Sequence, residues 1–415
     1  MSIKVLHTSD WHLGAILHNE DRKDEHEQFL LWLLETIKTE NIDVLVISGD
    51  IFDVYAPSAS AQKLYYDFLA GAIKLKNAPE VFIIAGNHDS RLFLDAPSAI
   101  LSKLKIHIVS AVDTEKPEKL IFEINGKTED AQTGLVICAI PFLREKDLSV
   151  KPGTSDFLSA QYNAAAGDFY HKAYEAARTK NAPVLMTGHF YLDGSKKSDD
   201  YSERTREVGN LRGLPAAALP DADYYALGHL HRSQAVSGAA HIRYSGSPLS
   251  MSFDEASSAK YVVILSFDGG CGTKPEIQLK EIPVWQELRQ IKGKPDEILR
   301  ELEKIRESGK AVWIEIQVTE YDGDLSKFWN NIDNTQMLEA AAPAYKILVK
   351  QDMRVRQNSG DWRGEEGGDL SSLDPVSVFK KFLDEEKIDA ENTTIFLKMF
   401  NELYTDVIVN ENGLL

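Results

Sequence analysis

Residues 43–53 read DVLVISGDIFD. The segment DVLVIS is an apolar run with β-branched side chains, the mark of a strand buried on both faces. The run ends at Gly49 and passes directly into Asp50 and Asp53. The same succession flanks it on either side. IKVLHT at 3–8 leads into Asp10-Trp11-His12-Leu13-Gly14, and VFIIA at 81–85 leads into Gly86-Asn87-His88-Asp89. Between these strands, residues 24–40 carry Phe29, Leu30, Leu33, Leu34 and Ile37 at helical spacing, and residues 60–76 are also helical in pattern. The β-α-β-α-β order needs crossover connections and predicts an α/β fold with a largely parallel sheet. In such sheets sites form beyond the carboxyl ends of the strands, which is where all three polar loops lie.

Working outward, strands are expected at 106–109, 119–124, 135–140, 184–187, 223–227, 242–245 and 261–267, and a helix at 156–180. Two of these strands end in further loops of the same kind, Gly188-His189 and Gly228-His229-Leu230-His231. The pattern changes near residue 280. Helices at 296–307 and 324–339 and strands at 311–319 and 345–349 describe a small α+β unit. QNSGDWRGEEGGDLSS at 357–372 is polar and Gly-rich and reads as a linker. Asp374 and Pro375 then suit an N-cap and a first turn, and Ile395, Phe396, Met399, Phe400, Leu403 and Tyr404 form one stripe of a last helix. The expected organisation is a catalytic domain over 1–275, a second domain over 280–352, a linker over 353–372 and a helix pair over 373–408.

Composition excludes several classes. With 43% hydrophobic and 27% charged residues the chain of 415 can bury sizeable cores. It has no secretory leader pattern and no apolar run of membrane-spanning length, so a cytoplasmic protein with no membrane contact is expected. Two cysteines, Cys138 and Cys271, are too few for a thiolate zinc site. The net charge of −18 counts against a nucleic-acid partner, although metal ions would neutralise several of the carboxylates.

The five loops supply Asp10, His12, Asp50, Asn87, His189, His229 and His231. In Asp10-x-His12 both side chains can leave one extended turn on the same face and reach one metal, and His229-x-His231 repeats the spacing. Asp50 has two oxygens with which to bridge two cations, and Asn87 adds a neutral oxygen. Imidazole and oxygen donors without thiolate suit Mn²⁺, Fe²⁺ or Zn²⁺ better than Ca²⁺, Mg²⁺ or a structural zinc. Two such ions can clamp a phosphate and activate water. Any one of these histidines alone would be read as a surface or satisfied core residue. Five ordered motifs, each beside glycine and after an apolar strand, outweigh that reading. The histidines at 7, 18, 26, 107, 171 and 241 lack the context and are read as ordinary.

These motifs resemble the signature of the calcineurin-like metallophosphoesterase superfamily. Within it, TSDWHLG, VISGDIFD, IAGNHDS, IPFLREKD, SDDYSER, DYYALGHLHRSQ and IRYSGSPLSMSFDE are similar to a family of recombination nucleases that pair with SMC-like ATPases. The resemblance implies a βαβ sandwich with helices outside, a capping domain that positions DNA, and a C-terminal helix pair. It implies one metal on Asp10, His12, Asp50 and His231 and another on Asp50, Asn87, His189 and His229, with manganese the expected ion. His88 would be the catalytic histidine, oriented by Asp89. Relatives in archaea and eukaryotes tend to have His where this chain has Asp53, which leaves the role of Asp53 open. The substrates implied are double-stranded DNA ends and hairpins. The partners implied are an SMC-like ATPase bound through 373–408 and a second copy of the chain, in a heterotetramer. A free-standing phosphatase or small-nucleotide phosphodiesterase is the alternative, favoured by the acidic charge, and a silent docking protein is a third.

Overall fold

The structure is a computed structural model that describes residues 2–126, 133–150, 155–195, 213–268, 270–321, 323–338 and 345–353, together with Phe379, Phe396, Leu397 and Phe400. Its contacts divide the chain into two compact units, Met1–Asp352 and Met353–Leu415.

The first unit opens with β1 (Ile3–Thr8), a short ribbon of β2 (Ile16–Leu17) and β3 (Glu20–Asp21), then β4 (Val44–Ser48), β5 (Glu80–Ile84), β6 (Ile106–Val109), β7 (Ile121–Asn125) and β8 (Thr133–Cys138). It continues with β9 (Val184–His189), β10 (Tyr224–Gly228), β11 (Gln234–Val236), β12 (Ala239–Tyr244), β13 (Tyr261–Phe267) and β14 (Glu276–Glu281). Two six-stranded sheets result, ordered β14-β13-β1-β4-β5-β6 and β11-β12-β10-β9-β8-β7. The centres are parallel: β1, β4, β5 and β6 in one sheet, and β8, β9, β10 and β12 in the other. The edges are not. β13, β14, β7 and β11 all pair antiparallel, so each sheet is mixed rather than simply parallel.

The sheets pack face to face, which explains the unbroken apolar runs. Val44, Val46 and Phe82 point into the core between the sheets with Ile137, Leu185 and Tyr224. Leu45, Ile47, Val81 and Ile83 point the other way, under Phe29, Leu33 and Phe68 of the helices Lys23–Glu40 and Ala59–Ile73. Both faces of β4 are therefore dry, and no polar position interrupts it before Ser48 at its end. The helix Ser155–Arg178 covers the outer face of the second sheet with Phe169, Tyr170 and Ala173. No helix among the described residues is long and apolar enough to cross a membrane.

A smaller unit follows within the same compact body. It contains β15 (Glu287–Gly293), β16 (Val312–Val318) and β17 (Tyr345–Asp352), in that order and all parallel, alternating with the helices Pro295–Ser308 and Leu325–Leu338. Its core is Ile291, Ile298, Leu302, Ile305, Ile314, Ile316 and Phe328. The strand β15, ELRQIKG, is not legible as a strand in the sequence. Its presence turns the expected α+β arrangement into an alternating, parallel one. Of the expected helix pair at 373–408, all but Phe379, Phe396, Leu397 and Phe400 lies outside the described residues, as does the linker beyond Met353. Those four residues are helical, and Phe379 stacks on Phe400 at 4.3 Å between ring centroids.

Candidate metal centre

The loops after β1 and β4 are stitched together by backbone hydrogen bonds. The amides of Asp10, His12 and Leu13 donate to the carbonyls of Gly49, Asp50 and Ile51 at 2.9 to 3.0 Å. The stitching holds a strained backbone. Asp10, His12, Asp50 and His229 have φ of 53°, 47°, 50° and 99°, the left-handed region that costs a side-chain-bearing residue energy and clusters at functional sites. The turn carrying Asp10 and His12 is therefore left-handed and not extended, as the spacing alone suggests. Two glycines are fixed by close approach. A Cβ on Gly86 would lie 2.1 Å from the Asp50 carboxylate, and one on Gly228 would lie 2.0 Å from the carbonyl of Ser48.

All nine candidate residues converge on this end of the sandwich. Nε2 of His12 and Nε2 of His231 face each other at 3.2 Å. Asn87 Oδ1 lies 3.0 Å from His189 Nε2 and 3.1 Å from His229 Nδ1. Asp50 Oδ2 is 3.3 Å from His189 Nε2 and 3.8 Å from His12 Nε2, so this carboxylate stands between the two groups. Asp10 accepts the His229 amide at 2.9 Å, and Asp50 accepts the His88 amide at 2.9 Å. His229 and His231 thus diverge, one toward Asn87 and the other toward His12, the split that the resemblance implied and that the repeated x-spacing alone did not. His88 and His229 are the partly exposed members of the set; the others are buried.

The donor set fits divalent cations. Asp10, His12 and His231 offer ligand atoms within 4.8 Å of one another, and so do Asp10, Asp50 and His189. Only one proton can lie between the facing nitrogens of His12 and His231, whereas a cation satisfies both lone pairs. The electrostatics point the same way. Burial opposes charge on His189, but Asp50 and Asp10 more than offset it and push the imidazole up to about 9. Burial pushes Asp10 up as well, while His189 and His12 hold the Asp50 carboxyl well below the usual range. A cavity that recruits a proton in this way is short of positive charge.

Asp89 does not take the expected place beside His88. Its carboxylate accepts the amides of Gly86, Ile51 and Phe52 at 2.8 to 3.2 Å, so it ties the loop after β5 to the loop after β4. Neighbours in sequence point their side chains apart here. His88 Nδ1 meets the carbonyl of Asp53 instead, at 2.7 Å. The Asp53 carboxylate lies 3.3 Å from His12 Nδ1, so one residue braces two histidines. Behind His231, Glu255 Oε1 lies 3.4 Å from Nδ1, and the buried Lys260 pairs with the same glutamate. Burial raises the Glu255 carboxyl, but Lys260 and His231 overcome this and hold it far below its ordinary value. Sequence reading assigned no role to Glu255 or Lys260, although the motif containing Glu255 was among those singled out. His189 Nδ1 completes the shell on the carbonyl of Ser48 at 2.8 Å. Such outer partners fix the tautomer and the direction of a ligating imidazole.

Known proteins match this chain over most of its length. Residues 3–233 match the family described as calcineurin-like phosphoesterase, and residues 284–387 match the one described as type 5 capsule protein repressor C-terminal domain. The chain is similar to the SbcD component of nuclease SbcCD from Escherichia coli K12, with 32% identity over 397 residues, 93% of this chain and 94% of that protein. The protein of the same name from Bacillus subtilis is 31% identical over 420 residues, covering 98% of each chain. That from Rhodobacter capsulatus is 30% identical over 312 residues, 73% of this chain and 76% of the relative.

Proposed function

The chain belongs to the SbcD family of calcineurin-like phosphoesterases, and from this premise we propose that it is a manganese-dependent DNA nuclease that uses two ions and acts with an SbcC-like ATPase. Its substrates in this reading are double-stranded DNA ends and hairpins, processed in the cytoplasm during replication, recombination and repair. The observation that carries the proposal is the convergence of seven donors from five strand ends, with the His12 and His231 nitrogens opposed at 3.2 Å.

Asp10, His12, Asp50 and His231 would hold one ion, and Asp50, Asn87, His189 and His229 the other. When bound, the ions supply charge neutralisation at the phosphate and activation of the attacking water. The remaining work falls to His88. A carbonyl only accepts, so the contact with Asp53 puts a hydrogen on Nδ1 and leaves Nε2 as the nitrogen that faces substrate. From there His88 can bind the scissile phosphate or pass a proton to the leaving oxygen. Its partial exposure suits a group that meets substrate.

The domain 280–352 would position DNA, and the segment 373–408, beyond the linker 353–372, would dock on the coiled coil of the ATPase. A homodimer within a heterotetramer is part of the same proposal. Tyr66, Leu92 and Ile100 support it, since they are exposed at 38%, 87% and 72% on helices that follow the loops after β4 and β5. The acidic charge of −18 favours a free-standing phosphatase instead. Manganese-dependent cleavage of duplex DNA, compared with a phosphomonoester in the presence and absence of the ATPase, separates the two. Preference for the monoester with no effect of the ATPase would reverse our conclusion. Deleting 371–415 should leave basal cleavage in place and abolish capture of the ATPase.

A further inference from the structure

The three-stranded unit contributes no metal-type motif, yet its first strand reaches the turn that props up a ligand. The turn is Phe253–Glu255. On its inner side Glu255 stands behind the His231 ring at 3.4 Å and accepts the Met251 amide at 3.2 Å. The Lys260 ammonium pairs with Glu255 and also donates to the carbonyl of His231 at 3.1 Å and the hydroxyl of Ser247 at 3.0 Å. One buried ion pair therefore grips both the ring and the backbone of His231. On the outer side of the same turn, Phe253 is buried against Leu17 and Leu288. Asp254 accepts from the Gln290 side chain at 3.2 Å, and Gln290 also donates to Glu315 of β16 at 2.6 Å. Leu288 and Gln290 belong to β15.

We propose that the Phe253–Glu255 turn couples the placement of the three-stranded unit to the metal-binding geometry of His231, with Glu255 the positioning residue. The inference rests on reading His231 as a metal ligand. For folding alone, an apolar pair of similar volume serves as well as a buried Glu–Lys pair, because desolvating two charges is costly. An apolar pair cannot accept a hydrogen bond from Nδ1 or raise the basicity of Nε2 toward a cation. Movement of β15 would reach Glu255 through three adjacent residues, with no flexible segment between.

The test is Mn²⁺ binding to the full chain, followed by the resonance of free Mn²⁺, with the fold checked by melting in chelator. Glu255→Gln should weaken one of two sites by about 10- to 100-fold and leave the other within about twofold. Leu288→Ala, which touches no ligand, should weaken the same site by about three- to tenfold. If Glu255→Gln fails to fold, the double change Glu255→Gln with Lys260→Met leaves no unpaired buried charge and is read in its place. Two unaltered sites in the Glu255 variant would overturn the positioning role. A weakened site in that variant with none in Leu288→Ala would overturn the coupling. A wild-type chain that binds no Mn²⁺ would instead overturn the reading of the site itself.

Discussion

The two halves of the site are braced differently. In the half built on His12 and His231, each ring nitrogen turned away from the partner histidine faces a carboxylate, Asp53 at 3.3 Å and Glu255 at 3.4 Å. In the half built on His189 and His229, the brace behind His189 is neutral, the carbonyl of Ser48 at 2.8 Å from Nδ1. A carboxylate behind an imidazole both aims it and raises its basicity, whereas a carbonyl only aims it. If the proposed ligand sets hold, the first half would thereby be the stronger seat for a cation. The second half contains the partly exposed His229. Asp50 stands in both, and His88 lies outside both.

The largest effects follow from that shared position. Asp50→Ala should empty both halves and cut hydrolysis by on the order of 10⁴-fold or more, since the ions are asked to supply several kcal/mol of the acceleration. His229→Ala should empty only the second half and still abolish turnover. Elemental analysis of the purified variants separates them, with less than one metal per chain for the first and about one for the second. Equal depletion in both would mean that the halves fill as a unit and that the contrast drawn above is wrong. His88→Ala should keep both metals and lose about 10²- to 10⁴-fold in turnover. A metal-depleted His88 variant would move that residue into the ligand set.

A subtler change addresses the braces themselves. Asp53→Asn keeps an oxygen near His12 Nδ1 and removes only the charge. It also leaves the backbone carbonyl that aims His88. Affinity of the first half should fall by about 10-fold while the turnover of fully loaded enzyme stays close to wild type. A calorimetric titration in which both sites are unchanged would show that charge behind His12 contributes nothing, and the comparison would reduce to geometry.

What the sequence reveals and conceals follows from how local each feature is. The loops that carry the candidate donors are legible because strand, glycine and donor lie within a few residues, as in VLVISGD, and the strand that precedes them is apolar on both faces. The braces are not local. Glu255 is one of 64 acidic residues and meets His231 only because β13 returns beside β1. Asp89 misleads for the converse reason: it is adjacent to His88 in sequence, but its carboxylate is taken by three backbone amides. β15 escapes notice because ELRQIKG spaces its two apolar side chains three residues apart instead of alternating, and only Leu288, Ile291 and Gly293 are buried. The left-handed backbone at Asp10 and His12 has only a weak signature in residue type, since Asp and His enter that region more often than most side chains but far less readily than glycine.

The smallest predicted effect concerns two histidines that no motif marked. His26 Nε2 lies 2.9 Å from the carbonyl of Trp11, behind the first half of the site. His7 Nε2 lies 3.2 Å from the carbonyl of Leu227, behind the second, and its Nδ1 accepts from Tyr224 at 3.2 Å. Both are fully buried, and burial is the main reason that each is pushed down to about 3 from an ordinary 6.5. The unfolded chain takes up protons at these histidines below pH 6.5, while the folded chain does not until about pH 3. Their effect on stability is therefore nil at neutral pH, and it turns unfavourable as pH falls through that window. The cost approaches about 1.4 kcal/mol per pH unit for each residue. Between pH 6.5 and 5.5, where the unfolded group is only part-way through its titration, each should cost about 1 kcal/mol. Urea unfolding of the metal-free chain at these two pH values measures these costs together with those of the site histidines, and the variants separate them. His7→Asn should reduce the pH-dependent loss by about 1 kcal/mol, whatever it does to stability at pH 6.5. His26→Asn should do the same. If either variant keeps the full wild-type pH dependence, that histidine already carries its proton in the folded chain, and the floor beneath its half of the site is charged and not neutral.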